Sequence, residues 1–351
     1  MKRGGCIALG CAGAAVVFVL ALAGIVLLWT FAPAEVEQAE DVHVDANEIR
    51  EEGETRFERT AADDSFRLSF GFLDHDGNPY QVSCTIRRND YEREVERFGY
   101  SETERAETLN RQARALLEQE AARRGVAPYF TLKVQGDLEY EWSYEVPETA
   151  GPAALQAAED FHRWLDTRSG EALTPLIDRY YRERGFALQK DTLQVDYERA
   201  VLESSDPLAD CFEALREAGG QESAVRQLSL FLSFFQDLRY ELPPEKDEQG
   251  RETLGFRVPT AVLVRGAGDC DSKAAAFCAM WRRLRGTRTI LILVPEHALV
   301  GVEGKPGPDQ AHVRLGNRYF ILCEVAGPGK IPAGDTSIEG SFEYILIEPG
   351  D

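Results

Sequence analysis

No Cys-x-x-Cys pair occurs in the 351 residues, and no zinc-like ligand spacing or glycine-rich nucleotide loop accompanies one. These absences exclude the simplest metal, redox and nucleotide readings. No internal repeat is visible, so a solenoid is excluded too. Basic residues are scarce, 39 Lys and Arg against 60 Asp and Glu, for a formal net charge of −21. A surface of that sign repels nucleic-acid phosphates and anionic lipid heads, so nucleic acid is not expected as a partner. Beyond that, the acidity describes a well-solvated surface. Seven cysteines are too few for a disulfide scaffold at this length. Cys6 and Cys11 fall in an apolar run, which leaves Cys84, Cys211, Cys270, Cys278 and Cys323 for the rest of the chain. That number is odd, so at least one thiol stays free unless two chains pair. In an oxidising compartment a free thiol needs a reason, and catalysis is one.

Charge is absent altogether from residues 6–31. As a helix this stretch spans about 39 Å, against about 30 Å of hydrocarbon, so it can cross a bilayer with some tilt. Lys2 and Arg3 precede it, while Glu35, Glu37, Glu40 and Asp41 follow. The positive-inside rule then puts the N-terminus in the cytoplasm and the rest of the chain outside, in the periplasm if the cell is Gram-negative. A cleaved signal peptide is the rival reading, because Ala32-Pro33-Ala34 has small residues at the right spacing. The run is longer than a typical signal h-region, which favours an uncleaved anchor over residues 1–32. Cys11 sits at the start of the run, the wrong end for a lipoprotein signal. Residues 33–60 are acidic with few large apolar side chains, and read as a flexible linker.

Apolar residues make up 44 % of the chain, enough for sizeable cores. Alternation over 66–72 and 80–86, with Asp74-His75-Asp76-Gly77-Asn78 between, predicts a β-hairpin. The turn begins like a calcium loop but lacks the distal Glu, so an ordinary turn is expected. A helix is expected over 102–124, opened by a Ser101–Glu104 capping box, then strands over 129–134 and 140–146. Residues 61–148 thus read as a small α+β domain, without visible chemistry. Helices are expected over 153–166, 173–184, 207–218 and 221–238. His162, on the first of these, has no partner at metal spacing and reads as structural. From Thr289 the pattern turns to strands: 290–294, 297–302, 311–315, 319–325 and 342–347. Gly316-Asn317 is a hairpin signal between the third and fourth. The fold class is therefore α+β, with residues 149–351 as a larger domain that begins helical and ends in an antiparallel sheet.

The most informative stretch is Gly266-Ala267-Gly268-Asp269-Cys270-Asp271-Ser272-Lys273. The glycines break what precedes, and a helix runs from Cys270 towards Gly286. Cys270, Ala274, Phe277, Cys278, Trp281 and Leu284 share one stripe, which should be its buried face, with Lys273 off it. A cysteine in the first helical turn meets unpaired N–H groups and the positive end of the dipole, which favour thiolate, the nucleophilic form. Asp269 and Asp271 oppose this unless they cap the helix or hold a cation, so a positive partner is needed. His297, 27 residues on at a strand start, is the best candidate; Glu324 follows after another 27. Cysteine to attack a carbonyl, histidine to move protons and glutamate to orient the imidazole form a coherent set. Cys278 reads as a core residue, and His312 is the rival base. Glu324 lies in Phe-Ile-Leu-Cys-Glu-Val, where an unpaired carboxylate would be costly, so it should have a partner.

Three stretches in order, Gly-Asp-Cys-Asp-Ser-Lys, Pro-Glu-His-Ala and Tyr-Phe-Ile-Leu-Cys-Glu, resemble the transglutaminase-like superfamily, especially its bacterial cysteine peptidase branch. Phe235-Gln236-Asp237-Leu238-Arg239-Tyr240 and Phe256-Arg257-Val258-Pro259 resemble the segments before the nucleophile in that group. The similarity covers roughly residues 220–348. It implies a papain-like core, a nucleophile helix packed on an antiparallel sheet, with Cys270 as nucleophile, His297 as base and Glu324 as orienting acid. The Cys270 N–H would be one oxyanion donor, with Gln236 or Tyr240 as a second. Two departures are that Glu324 stands where Asp is common, and Ser272 where the branch often has an acid. In this context Asp269 and Asp271 are an alternative calcium site; otherwise no cofactor is expected.

The expectation is a membrane-anchored, extracytoplasmic peptidase or amidase acting on proteins, peptides or cell-wall peptides through a thioester. The alternatives are a protein transamidase using the same site, or a catalytically inactive, membrane-tethered binding module.

Overall fold

A computed structural model of the chain describes the backbone of residues 2–8 and then residues 44–136, 138–189, 192–220, 223–284, 286–338 and 340–350. The expected anchor thus lies outside the described residues, apart from that short N-terminal stretch. Among the described residues no helix is long and apolar enough to cross a membrane. The chain is α+β and divides into two compact units.

The first unit holds residues 100–195 and 248–252 with the strand Lys2–Ala8, which pairs antiparallel with Glu139–Glu145. Ser101 caps Glu102–Arg123 by accepting from the Glu104 N–H, as the sequence predicts. Glu139–Glu145 also pairs with Phe130–Gly136. The helices expected over 153–166 and 173–184 are one, Gly151–Arg182, with Pro175 inside it. Phe161, Leu165, Leu173, Tyr180 and Tyr181 are all buried along it. One continuous apolar stripe therefore outweighs the single backbone bond that Pro175 removes.

The second unit holds the described residues of 32–99, 196–247 and 253–351. The domain boundary expected at 148 thus falls differently: the sheet before residue 100 joins the C-terminal part. That sheet is a four-stranded antiparallel meander of Glu48–Glu52, Thr55–Ala61, Ser65–Leu73 and Pro79–Arg87. The latter part of the supposed 33–60 linker is therefore a hairpin. Its charges conceal the pattern: Phe57 points inward, and Arg59, 1 % exposed, donates to Val264 O at 3.0 Å and pairs with Glu48 at 3.2 Å. Phe70 and Phe72 pack edge-on against Phe234 of the helix Ala224–Asp237. A Cys84–Cys211 disulfide ties the meander to the helix Ala209–Ala218.

Five antiparallel strands form the second sheet, in the order His312–Leu315, Arg318–Cys323, His297–Glu303, Thr289–Val294, Glu343–Ile347. Ile290, Ile292, Leu299, Phe320 and Leu322 cluster on it. The helix Cys270–Trp281 packs on the central strand, His297–Glu303, and on Thr289–Val294 beside it. Every residue from Ser272 to Trp281 is buried, so the helix has no solvent face, contrary to the single buried stripe expected. Ala274, Ala275, Ala276 and Ala279 let neighbours approach from all sides, and a helix covered all round is a core helix.

Candidate active site

Gly266, in the left-handed region at φ 58°, ends the helix Pro259–Arg265. The next two residues bridge in parallel to Arg239–Tyr240, which brings that strand alongside the approach to Cys270. Asp269 then caps the Cys270–Trp281 helix by accepting from Ser272 N at 3.3 Å. Ser272 Oγ accepts the Arg257 N–H at 2.9 Å, so the serine clamps the preceding segment to the helix. Cys270 is half-buried at the first helical position; among the described residues the other free thiols, Cys278 and Cys323, are sealed in the core. Burial pushes the Cys278 thiol up to about 12, which removes it as a rival nucleophile.

His297 opens its strand after the turn Pro295-Glu296, where Glu296 sits at φ 61°. Its ring, 37 % exposed, has Nε2 2.7 Å from Glu324 Oε2, and the Cys270 side chain is the other group that acts on it. With Nε2 given to Glu324, the nitrogen left for sulfur is Nδ1. The Cys270 and Glu324 side chains raise the imidazole to about 10 against the cost of burial, so it is held as imidazolium. Glu324 directly follows the strand Arg318–Cys323 and is 9 % exposed. Its second oxygen accepts Ala326 N at 2.8 Å, so both oxygens of this buried carboxylate are satisfied. His312, the rival base, is exposed and bonds Gln310 O, away from this group. His162 lies in the first unit, against Trp142.

Gln236 does not fit the oxyanion role expected for it. Its Nε2 donates to Glu324 O at 2.8 Å and Ile331 O at 2.9 Å, and its Oε1 accepts Ile331 N. Both amide hydrogens are engaged, so the side chain is a strut beneath Glu324. Tyr240 is 41 % exposed, and burial with the nearby charges of Cys270, Asp269, Asp271 and Glu324 pushes its phenol up to about 12. It therefore keeps its proton and can donate.

The flanking carboxylates are occupied by donors. Asp271 accepts from Tyr197 Oη at 2.6 Å and from Ser272 N at 2.7 Å. Burial and the neighbouring Asp271 raise the Asp269 carboxyl well above the usual carboxylate range. At neutral pH the pair therefore carries less negative charge beside the sulfur than two ionised aspartates would. The two carboxylates alone fall short of the six to eight oxygen ligands that calcium takes. Among the described residues no group of three or more His, Cys, Asp or Glu could hold a metal.

One neighbour of Cys270 has a different environment from the one expected. Lys273, read as lying off the buried stripe, is 0 % exposed, and its Nζ donates to Leu238 O at 2.5 Å and Ala326 O at 2.6 Å. The sequence signal was available in retrospect: Lys273 directly precedes an unbroken apolar run, Ala274–Trp281, in which every neighbour is buried. No family model matches the chain, and searches of curated proteins and of solved structures returned no match.

Proposed function

We propose that the chain is a cysteine hydrolase of the transglutaminase-like type, with the Cys270–Trp281 helix and the five-stranded sheet as a papain-like core. The observation that carries this reading is the His297 ring, hydrogen-bonded to the buried Glu324 carboxylate and perturbed by the Cys270 side chain at the helix mouth. A buried structural histidine needs no half-exposed thiol partner at a helix mouth; a nucleophile–base–orienter set needs all three.

The chemistry follows from the atoms present. The Cys270 thiolate attacks an amide carbonyl carbon, and the C=O π electrons move to oxygen. The Cys270 N–H and the Tyr240 hydroxyl donate to that oxyanion. As the C–N bond breaks, imidazolium His297 gives its proton to the leaving amine, leaving a thioester. Water then passes a proton to His297 while its oxygen attacks the thioester carbon, and the thiolate is expelled. Glu324 holds the ring in line throughout and stabilises the imidazolium. The substrate class is a protein or peptide, cell-wall peptides included. An amine in place of water in the second half-reaction would give transamidation from the same site.

The extracytoplasmic location rests on two independent features. One is the uncharged run 6–31 with basic residues before it and acidic residues after. The other is the Cys84–Cys211 disulfide, a bond that persists in oxidising compartments. The test is labelling of the full-length protein with a thiol-directed acyl probe. The label should map to Cys270 and disappear in Cys270→Ala; a label that persists in that variant removes the assignment.

A further inference from the structure

Lys273 takes no part in the proposed acyl transfer, yet burying an ammonium is among the costliest placements in a protein. Among the described residues no carboxylate lies within ion-pair distance of it. Its visible partners are two backbone carbonyls, Leu238 O and Ala326 O, with the Tyr240 ring 5.9 Å from Nζ. Each carbonyl belongs to a segment that presents another member of the site. Leu238 lies two residues before Tyr240. Ala326 lies two residues after Glu324 and donates its own N–H to Glu324 Oε1. Lys273 itself is one helical turn from Cys270. A single side chain thus joins the helix of the sulfur, the strand of the phenol and the loop of the orienting acid.

The charge matters separately from the bonds. The groups facing the ammonium are Asp269 and the Cys270 sulfur from its own helix, Glu324 from the sheet side and Asp237 from the end of the Ala224–Asp237 helix. Burial lowers Lys273 to about 7 against the pull of those four groups. In a site with this many acidic side chains, Lys273 supplies positive charge one helical turn from Cys270, within electrostatic reach of its sulfur. Two carbonyls alone could be satisfied by a neutral amide, which avoids the desolvation of a charge.

We propose that Lys273 is the positioning residue of this site: it braces the Tyr240 and Glu324 segments against the helix, and its ammonium keeps the Cys270 sulfur reactive. The inference rests on the proposed function, and one experiment separates the two. Iodoacetamide alkylation of Cys270 in the full-length protein is followed from pH 5 to pH 10 by mass spectrometry of the Cys270 peptide. Wild type, Lys273→Met, Lys273→Gln and His297→Ala are compared, with circular dichroism as the check of folding. Lys273→Gln keeps a donor and removes the charge. Both Lys273 variants should move the profile to higher pH, with alkylation about tenfold slower at pH 7, the size of a one-unit displacement. A Lys273→Gln profile that overlays wild type would overturn the inference, and would do so even if Lys273→Met failed to fold. Failure of the proposed function has a different signature: His297→Ala would overlay wild type whatever the Lys273 variants do.

Discussion

His297 has two partners of different kinds, the Glu324 carboxylate and the Cys270 side chain, and each can be removed separately. Its pKa is raised to about 10 by Cys270 first and Glu324 second. Glu324→Gln replaces a carboxylate partner by a neutral amide, so the ring should lose its proton at lower pH. In an NMR titration of the imidazole Cε1 proton, the midpoint should fall from near 10 towards the ordinary histidine range. An unmoved midpoint would show that Glu324 does not engage the ring in solution. Residue chemistry was largely legible in the sequence at this point. Cys270 stands at a helix start after glycines, and Glu324 in an apolar strand pattern; each residue type is unusual for its setting. Lys273 was legible only in part: the apolar run Ala274–Trp281 that follows it is a signal of burial, but a lysine at a helix start is normally solvated. Only tertiary packing reveals that all sides of this helix are covered. Gln236 looked like an oxyanion donor from its position before the nucleophile, but it spends its amide on Glu324 O and Ile331 O.

Elements are positioned by buried polar contacts whose strength depends on pH. Glu94, on the helix Arg88–Arg97, is fully enclosed and faces Ser204 and Thr260; burial raises its carboxyl to about 7. Because the folded value lies above the unfolded one, the favourable contribution is complete below the unfolded pKa of 4.5 and is lost as pH rises through 7. Glu94→Gln should therefore flatten the stability profile between pH 4.5 and 7 and make the protein more stable above pH 7, as read by urea unfolding at each pH. A variant with the same slope as wild type would refute this. The loop after Glu324 gives a second prediction. Gly327 has φ 66°, and a Cβ there would lie 2.4 Å from Gln236 O. Gly327→Ala should lower stability by about 2 kcal/mol or more, from strain and backbone clash together, and should slow Cys270 acylation by displacing Glu324. Short charged strands such as Glu48–Glu52, and the fusion of two expected helices through Pro175, were beyond local reading. In both cases burial on a distant partner overrides the local signal.

For the whole molecule, the second unit assembles from three stretches of chain, and the disulfide links two of them. Cys84 and Cys211 are separated by 127 residues, so the bond closes a long loop of the unfolded chain. Replacing both by serine should reduce unfolding free energy by about 2–5 kcal/mol, measured by denaturant titration under non-reducing conditions, with the Cys270 site still able to form. An equal loss in wild type on adding reductant would identify the same bond; no loss in either case would contradict it. The division of the chain was the least legible feature, because nothing in a linear reading announces that the meander before residue 100 joins a core that begins again near residue 196. Cys270, His297 and Glu324 are proposed to act together as an acyl-transfer site. The most direct test is acid-quench mass spectrometry of the full-length protein mixed with an activated acyl ester. A rapid burst of one acyl group on Cys270 that is lost in His297→Ala is the predicted result; no burst, or an undiminished one in that variant, would contradict it.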